Sequence, residues 1–234
     1  MAFKRLKQAS RAKRLRRAGI SIDEPVVAVA YGARSGIWSV CPDKLSPNSV
    51  VYSVGVGNNI AWDLAMITHH GVELHAFDPT PRAIEWVQLQ SLPLQFHFHP
   101  VGLSGFDGAK EFLVPRREHQ FNYSSVGSEL SPGVKVSCGV KRLSSLQAEL
   151  GHETIDILKM DIEGEEMQAL PDVLASGVLP GQLLVEFHYN YPEIPFEDFR
   201  DLIEQLRAAG YRIFYISERG YEFSFVHQRL LDGY

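Results

Sequence analysis

Cysteine is scarce in this 234-residue chain: Cys41 and Cys138 are the only two, far apart and outside any CxxC spacing. That argues against a disulfide framework and a cysteine-based zinc site, and suits a reducing compartment. No run reaches the ~18–20 consecutive apolar residues that a membrane-spanning helix requires. Acid is missing from residues 1–19, which carry eight Lys or Arg, and the first acid is Asp23. A signal peptide would need an apolar stretch after such a basic start, but Asp23, Glu24 and Pro25 interrupt the place where it should lie. An organellar transit peptide shares the Arg-rich, acid-poor character and stays open as an alternative. Internal repeats are lacking, as are low-complexity tracts beyond the basic start.

The formal net charge of −5 averages two unlike parts. Setting aside the eight basic residues of the start leaves 15 Lys or Arg against 28 Asp or Glu, a body of −13. The reading is a basic tail or helix over residues 1–20 and a single domain over 21–234, with an irregular insertion at about 107–133. An acidic body argues against nucleic acid as the substrate, since duplex binding leans on Lys and Arg at phosphates. The tail, with Phe3, Leu6 and Leu15 as a thin apolar face, suits peripheral contact with an anionic membrane. The expected location is cytoplasmic; contact of the tail with an anionic membrane or RNA stays open as an alternative to a solvated basic helix, the simpler reading.

What is present is an alternation of short apolar strands and helical patterns, the signature of a parallel sheet covered by helices. Ser49–Gly55, Val72–Phe77 and Leu94–Val101 read as strands, with helices over Asn59–Thr68 and Pro81–Leu89 between them. Residues 107–140 break the rhythm. It returns with a helix over Val140–Leu150, a strand over Ile155–Asp161, a helix over Glu165–Leu174 and a strand over Gln182–His188. Pro195–Ala209 follows as an amphipathic helix, and Tyr211–Ser217 with Tyr221–Val226 as a terminal antiparallel hairpin. The fold class is α/β: a Rossmann-like, seven-stranded, mostly parallel sheet with a C-terminal hairpin and helices on both faces.

Ser53-Val-Gly-Val-Gly-Asn-Asn59 sits where the first strand meets the first helix. Gly55 and Gly57 let the backbone turn tightly and approach a ligand that any Cβ would obstruct. Asp78 lies 21 residues after Gly57, at the tip of the second strand, where a carboxylate can accept from both ribose hydroxyls of a nucleoside. A dinucleotide fingerprint wants a third glycine where this chain has Ile60. A cofactor without a pyrophosphate, S-adenosylmethionine, therefore fits better than a nicotinamide. A non-binding α/β module with a capped glycine turn is the plain alternative.

VVYSVGVGNNIAWDLAM, VELHAFDPTPRAIEWV, FHFHPVGLSGFDG, IDILKMDIEGEEMQAL and QLLVEFH, in this order, resemble FkbM-type class I methyltransferases, in particular their methyltransferase-like branch. The resemblance covers about residues 31–228. It implies S-adenosyl-L-methionine as cofactor, with Gly55 and Gly57 at the methionine moiety, Asp78 at the ribose, Val101, Gly102 and Leu103 near the adenine, and Ser53 and Asn58 also among the cofactor-binding residues. It also implies O-methylation of a sugar, glycan or small metabolite.

Ligands of such sheets sit beyond the carboxyl ends of the strands. Two ends carry polar clusters, Asp161-Ile-Glu163 and Glu186-Phe-His188. Alternation puts Glu186 and His188 on one face, so His188 is the candidate general base, with Asp161 and Glu163 as alternative base or orienting groups. Asp161, Glu186 and His188 together are a candidate Mg²⁺ or Mn²⁺ site. Lys159, inside a buried strand, should need a carboxylate partner. His97 and His99 share a strand face. Arg116, Arg117, His119, Asn122, Tyr123, Ser124, Tyr189, Asn190 and Tyr191 are candidates for the acceptor side.

Overall fold

The computed structural model describes residues 2–34, 36–117, 119–126 and 134–231, with the side chains of 2–4 left aside. In chain order the elements are α1 (Ala2–Arg17), β1 (Val29–Ala33), β2 (Gly36–Val40), β3 (Val50–Val54), α2 (Ala61–His70), β4 (Glu73–Phe77), α3 (Pro81–Gln88) and β5 (Phe96–His99). After β5 come β6 (Gly102–Leu103), β7 (Gly108–Leu113), β8 (Lys135–Lys141), α4 (Leu143–Leu150), β9 (Ile157–Met160) and α5 (Glu166–Ser176). The chain closes with β10 (Gln182–Glu186), α6 (Phe196–Ala208), β11 (Tyr211–Ile216) and β12 (Glu222–His227).

The main sheet has seven strands in the order β11-β12-β10-β9-β3-β4-β5. All run parallel except β12, which enters between β10 and β11 and pairs antiparallel with both. The chain winds outward from β3 to β5, returns to the other side of β3 for β9, and winds outward again. That reversal leaves a crevice between the carboxyl ends of β3 and β9, where ligands of open α/β sheets bind. Both faces are covered. Phe199, Leu202, Ile203 and Leu206 of α6 recur at helical spacing, all buried, on the face shared with α4 and α5. Trp62, Met66 and Ile67 of α2 bury on the other face beside Trp38 and Val40 of β2.

The breaks in the predicted rhythm have physical form. The β1–β2 hairpin was not foreseen and lies under α2 on the second face. Within 107–140, β6, β7 and β8 make a separate three-stranded sheet, and Val140 and Lys141 belong to β8 rather than to the helix expected from 140. Residues 127–133 of the expected insertion lie outside the described residues.

The basic start is helix α1, and it is docked on the domain. Leu15 and Ile20 are buried in the core on the α6 side. The Arg11 and Arg14 guanidinium groups lie 3.8 Å over the rings of Tyr221 and Phe196. Of the apolar face expected to meet a membrane, Leu15 is therefore spent on the protein itself, Leu6 is exposed, and the side chain of Phe3 lies outside the described residues. Among the described residues no helix is long and apolar enough to cross a membrane.

Histidines 97 and 99 join a larger group. His75 of β4 stands opposite His97, and its Nδ1 lies 3.0 Å from Nε2 of His99. The His152 ring meets the His75 ring edge-on at 4.6 Å and shares a 2.7 Å hydrogen bond with the Tyr52 hydroxyl. His97 pairs with Glu73 at 2.7 Å. Burial, then the neighbouring imidazoles His152, His97 and His99, push His75 down to about 3, and burial likewise lowers His99 and His152. A depressed folded-state pKa means that the unfolded chain binds more protons between about pH 6.5 and 3. Over that window His75 removes about 1.4 kcal/mol of stability per pH unit of acidification, and His99 and His152 act in the same direction. Denaturant titrations from pH 7 to 4 should show this acid loss, and His75→Phe should flatten it. An unchanged slope in that variant would remove His75 from the account.

Candidate active site

Beyond the carboxyl ends of β3, β4 and β9 lies a cavity of about 290 Å³. Its floor is the glycine turn. Gly55 has φ +85°, and a Cβ there would stand 1.8 Å from the Asp161 carbonyl oxygen, so only glycine lets the β3 and β9 turns touch. Gly57 also has positive φ, +54°, and faces Phe121 of the 114–126 segment. Of the residues expected at the cofactor, Gly55, Gly57, Asn58, Asp78, Gly102 and Leu103 line the cavity. Ser53 and Val101 do not. Ser53 is fully buried beneath the turn and accepts from Lys159, while Val101 packs toward the α6-side core.

Asp78 is buried and saturated by its own chain. One oxygen accepts from the amides of Val56 and Gly57 at 3.0 and 2.9 Å; the other accepts from the Thr80 amide at 2.9 Å and the Thr80 hydroxyl at 2.7 Å. Burial pushes its carboxyl up while these donors pull it back. It is the brace of the glycine turn. Two residues after Thr80, Arg82 donates to the carbonyls of Arg117 and Gln120 at 3.0 and 2.8 Å, holding the segment that brings Phe121, Asn122 and Tyr123 to the cavity.

The turn after β9 gathers the acids. Glu163 has φ +53°, a sparsely populated conformation for a non-glycine residue, and such conformations concentrate at functional sites. Its side chain accepts the Tyr191 hydroxyl and lies 3.5 Å from His188 Nε2, with Asp161 at 3.9 Å from the same nitrogen. Glu166, fully buried, was not foreseen. It accepts from the His188 amide at 2.7 Å and Nδ1 at 3.2 Å, and from the Gly164 amide at 2.9 Å. Burial disfavours the His188 cation, but Glu166, then Glu163 and Asp161, outweigh it and raise the imidazole to about 10. An imidazolium thus stands where a general base was expected. Glu163 is pushed up by burial and pulled down by the His188 charge.

The expected metal set changes by one member. Asp161, Glu163 and His188 each offer an atom within 4.8 Å of the others. Glu186 is instead held by Arg219 at 2.8 Å, and burial, then the Asp161 charge, push it up to about 8. Among the described residues no carboxylate lies within ion-pair distance of Lys159; the buried carboxylate that senses its charge is Asp63. The Lys159 Nζ contacts Gly55 O at 3.3 Å and Ser53 Oγ at 3.4 Å. Glu165 is structural: Lys110 at 2.6 Å, Ser104 and Ser125 tie it to the small sheet and the neighbouring loop. Of the acceptor candidates, Asn122 and Tyr123 reach the cavity. The Ser124 hydroxyl binds the Glu163 carbonyl, and Tyr189 stacks at 4.3 Å on Phe199 in the core.

A sheet of this order, with a glycine turn braced by an acid at its reversal point, defines the class: a Rossmann-like α/β fold with a ligand crevice at the carboxyl ends of its strands. The family model described as "Methyltransferase FkbM domain" matches residues 24–213. The chain belongs to the FkbM methyltransferase domain family. It is 24% identical over 196 residues to "Probable methyltransferase-like protein 24" of Homo sapiens, covering 76% of this chain and 47% of that protein. With the Rattus norvegicus counterpart it is 27% identical over 207 residues, covering 81% and 51%. The chain thus spans about half the length of the curated relatives it matches. Among solved structures, the methyltransferase FkbM from Methylobacillus flagellatus KT superposes with a TM-score of 0.52 at 14% identity, covering 78% of this chain and 44% of that one, a likeness of fold.

Proposed function

We propose that the chain is an S-adenosylmethionine-dependent methyltransferase acting on a hydroxyl of a sugar, glycan or small metabolite. The observation that carries this is the single cavity joining the braced glycine turn to the Asp161–Glu163 acids. One end suits a nucleoside without pyrophosphate, and the other suits a proton-losing acceptor. When bound, S-adenosylmethionine would supply a methyl group on a sulfonium sulfur to an in-line acceptor oxygen, the sulfur keeping the bonding electron pair. The chain contributes mainly position, and oriented reactants gain effective molarities of ~10⁵–10⁸ M. Asp161, at the cavity, takes the hydroxyl proton. His188, charged and held by Glu166, keeps Asp161 and Glu163 in place. Asn122 and Tyr123 supply an amide and an aromatic face to a polyol acceptor.

A second version keeps the reaction and adds Mg²⁺ or Mn²⁺ at Asp161, Glu163 and His188. The Glu166 contact at Nδ1 favours it, because it leaves Nε2 facing two carboxylates as in a ligand imidazole. Such an ion would acidify and orient the acceptor hydroxyl. Calorimetry with S-adenosylhomocysteine and NAD, followed by methyl transfer to a panel of saccharides with and without EDTA, tests both versions. Binding of S-adenosylhomocysteine but not NAD is expected. No binding of the methionine nucleoside sinks the proposal, and full turnover in EDTA sinks its metal-assisted version.

A further inference from the structure

Helix α1 is seated on the domain by one face only. Gln8, Arg11, Ala12, Leu15 and Ala18 recur at helical spacing and are the residues that burial reaches, with Leu15 in the core. The Arg11 guanidinium donates to the Arg219 carbonyl and covers the Tyr221 ring, while Arg14 covers Phe196. A Cβ on Gly220 would stand 3.0 Å from Arg11 Cδ and 3.3 Å from a Leu15 methyl, so the helix lies close against that turn. At its other end Arg207 donates to the Gly19 carbonyl at 3.1 Å and to Asp23 at 2.8 Å. The outward face is therefore fixed in place, and it is basic. Arg5, Lys13, Arg16 and Arg17 are exposed, none has an ion-pair partner among the described residues, and no acid precedes Asp23. Leu6, two turns before Lys13 on the same side of the helix, is left 68% exposed between Arg5 and Lys7.

Tyr221 lies in the β11–β12 turn and Phe196 opens α6 shortly after β10, so Arg11 and Arg14 meet the domain at the carboxyl-end rim of the sheet, the rim that holds the cavity. From there α1 runs toward the far end of α6, where Arg207 holds Gly19. Its first turns extend the other way, and residues 2–10 reach about 13 Å past Arg11. That exceeds the Debye length of about 8 Å at physiological salt, so an anionic surface met by these turns is largely screened from the acidic body. We propose that the outward face of α1 binds the anionic headgroups of a lipid bilayer, holding the chain as a peripheral protein with its cavity rim toward the bilayer. Leu6 decides between a bilayer and a nucleic acid. A bilayer interface takes an exposed leucine among cations out of water, whereas a phosphate backbone offers it nothing. Leu15 is used up in the core, so charge rather than deep insertion holds the helix to the surface.

The test is co-sedimentation of the full chain with vesicles of phosphatidylcholine and with vesicles of an equal mixture of phosphatidylcholine and phosphatidylserine. Binding is expected to the mixed vesicles only, and should fall as salt is added. Each Lys or Arg brought to an anionic surface strengthens binding by about fivefold, so Lys13→Gln with Arg17→Gln should weaken it by about 25-fold. That pair should melt like the wild type, since its side chains have no partner to lose. Lys135→Gln with Lys141→Gln removes the same charge from β8, where each lysine pairs with a glutamate, and should change binding by less than about twofold. Leu6→Trp should still bind, with its emission shifting to the blue on the mixed vesicles. The proposal is overturned if the wild-type chain ignores the mixed vesicles or binds both kinds alike. It is also overturned if the β8 pair weakens binding as much as the α1 pair, or if binding leaves the Leu6→Trp emission unmoved. Tighter binding to a duplex RNA than to vesicles, lost in the α1 pair, overturns it in favour of a nucleic acid. The cofactor is read separately by S-adenosylhomocysteine calorimetry, so failure here leaves that reading in place.

Discussion

Asp78→Asn is expected to weaken S-adenosylhomocysteine binding at least about 100-fold and to lower the melting temperature by several degrees. The carboxylate accepts four hydrogen bonds from Val56, Gly57 and Thr80, and all four come from donors. A carboxamide keeps one oxygen and turns the other position into an NH₂, which then faces either the two amides of the glycine turn or the amide and hydroxyl of Thr80. Hydrogen bonds to a charged group contribute about 1.5–3 kcal/mol each, and a buried donor left unmet costs about 1–3 kcal/mol. For a chain of this length about 1 kcal/mol moves the melting temperature by about 2–4 °C. The glycine turn that forms the cavity floor would relax with its brace. Calorimetry and thermal denaturation of the one variant read both effects. Wild-type affinity in Asp78→Asn would remove this residue from the cofactor site, and a lowered melting temperature with intact binding would leave it a purely structural brace.

The sheet was legible because its central strands are buried on both faces and read as unbroken apolar runs: VVYSV, ILKM and QLLVE need no alternation to be recognised. The β1–β2 hairpin carries no such run. Val29 and Ile37 are exposed, and Gly32 and Gly36 interrupt the pattern, so nothing local marks these as strands. In β8 the alternation of Val136, Cys138 and Val140 was present, but the apolar periodicity of the following helix overlapped it and moved the boundary. In the site, the glycine turn and Asp78 could be found because their spacing is local to one β-α-β unit. Glu166 could not, since it reads as an ordinary first-turn acid until the end of β10 is brought to it across 22 residues. For the same reason Glu163 and Glu186 exchanged roles. Strand alternation placed Glu186 beside His188, but Arg219 from the β11–β12 turn captures it, and the left-handed backbone at Glu163 brings that carboxylate in instead.

Two groups of histidines pull the stability of the domain in opposite directions. The His75 group is held neutral and loses stability on acidification. His188 has its folded-state pKa raised to about 10, so its contribution is fully present below about pH 6.5, the unfolded value, and fades as pH rises toward about 10. Between them lies a maximum near neutrality, set by the His75 cluster on one side and by His188, next to the cavity-lining Asp161 and Glu163, on the other.

Glu166→Gln separates the catalytic from the structural part of that account. Glu166 is fully buried, and its charge heads the attractions that keep His188 protonated despite burial. The glutamine still fits and still accepts from the His188 amide through its oxygen, but its NH₂ then faces the Gly164 amide, a donor against a donor, and it no longer carries the charge that holds the imidazolium. His188 should then titrate well below about 10, and the alkaline loss of stability, about 1.4 kcal/mol per pH unit where the proton is released, should move toward neutrality. Without the cation, Asp161 and Glu163 repel each other at the cavity mouth, and the proton acceptor is no longer held against its substrate. Methyl transfer should fall by about 10²–10³-fold, the scale of a mispositioned acid–base group, while affinity for S-adenosylhomocysteine changes little, since neither Glu166 nor His188 lines the cavity. The split between turnover and binding is the informative result. If Glu166→Gln kept wild-type turnover and an unshifted alkaline limb, the His188 cation would have no part in the chemistry, and Asp161 would have to be held by some other group.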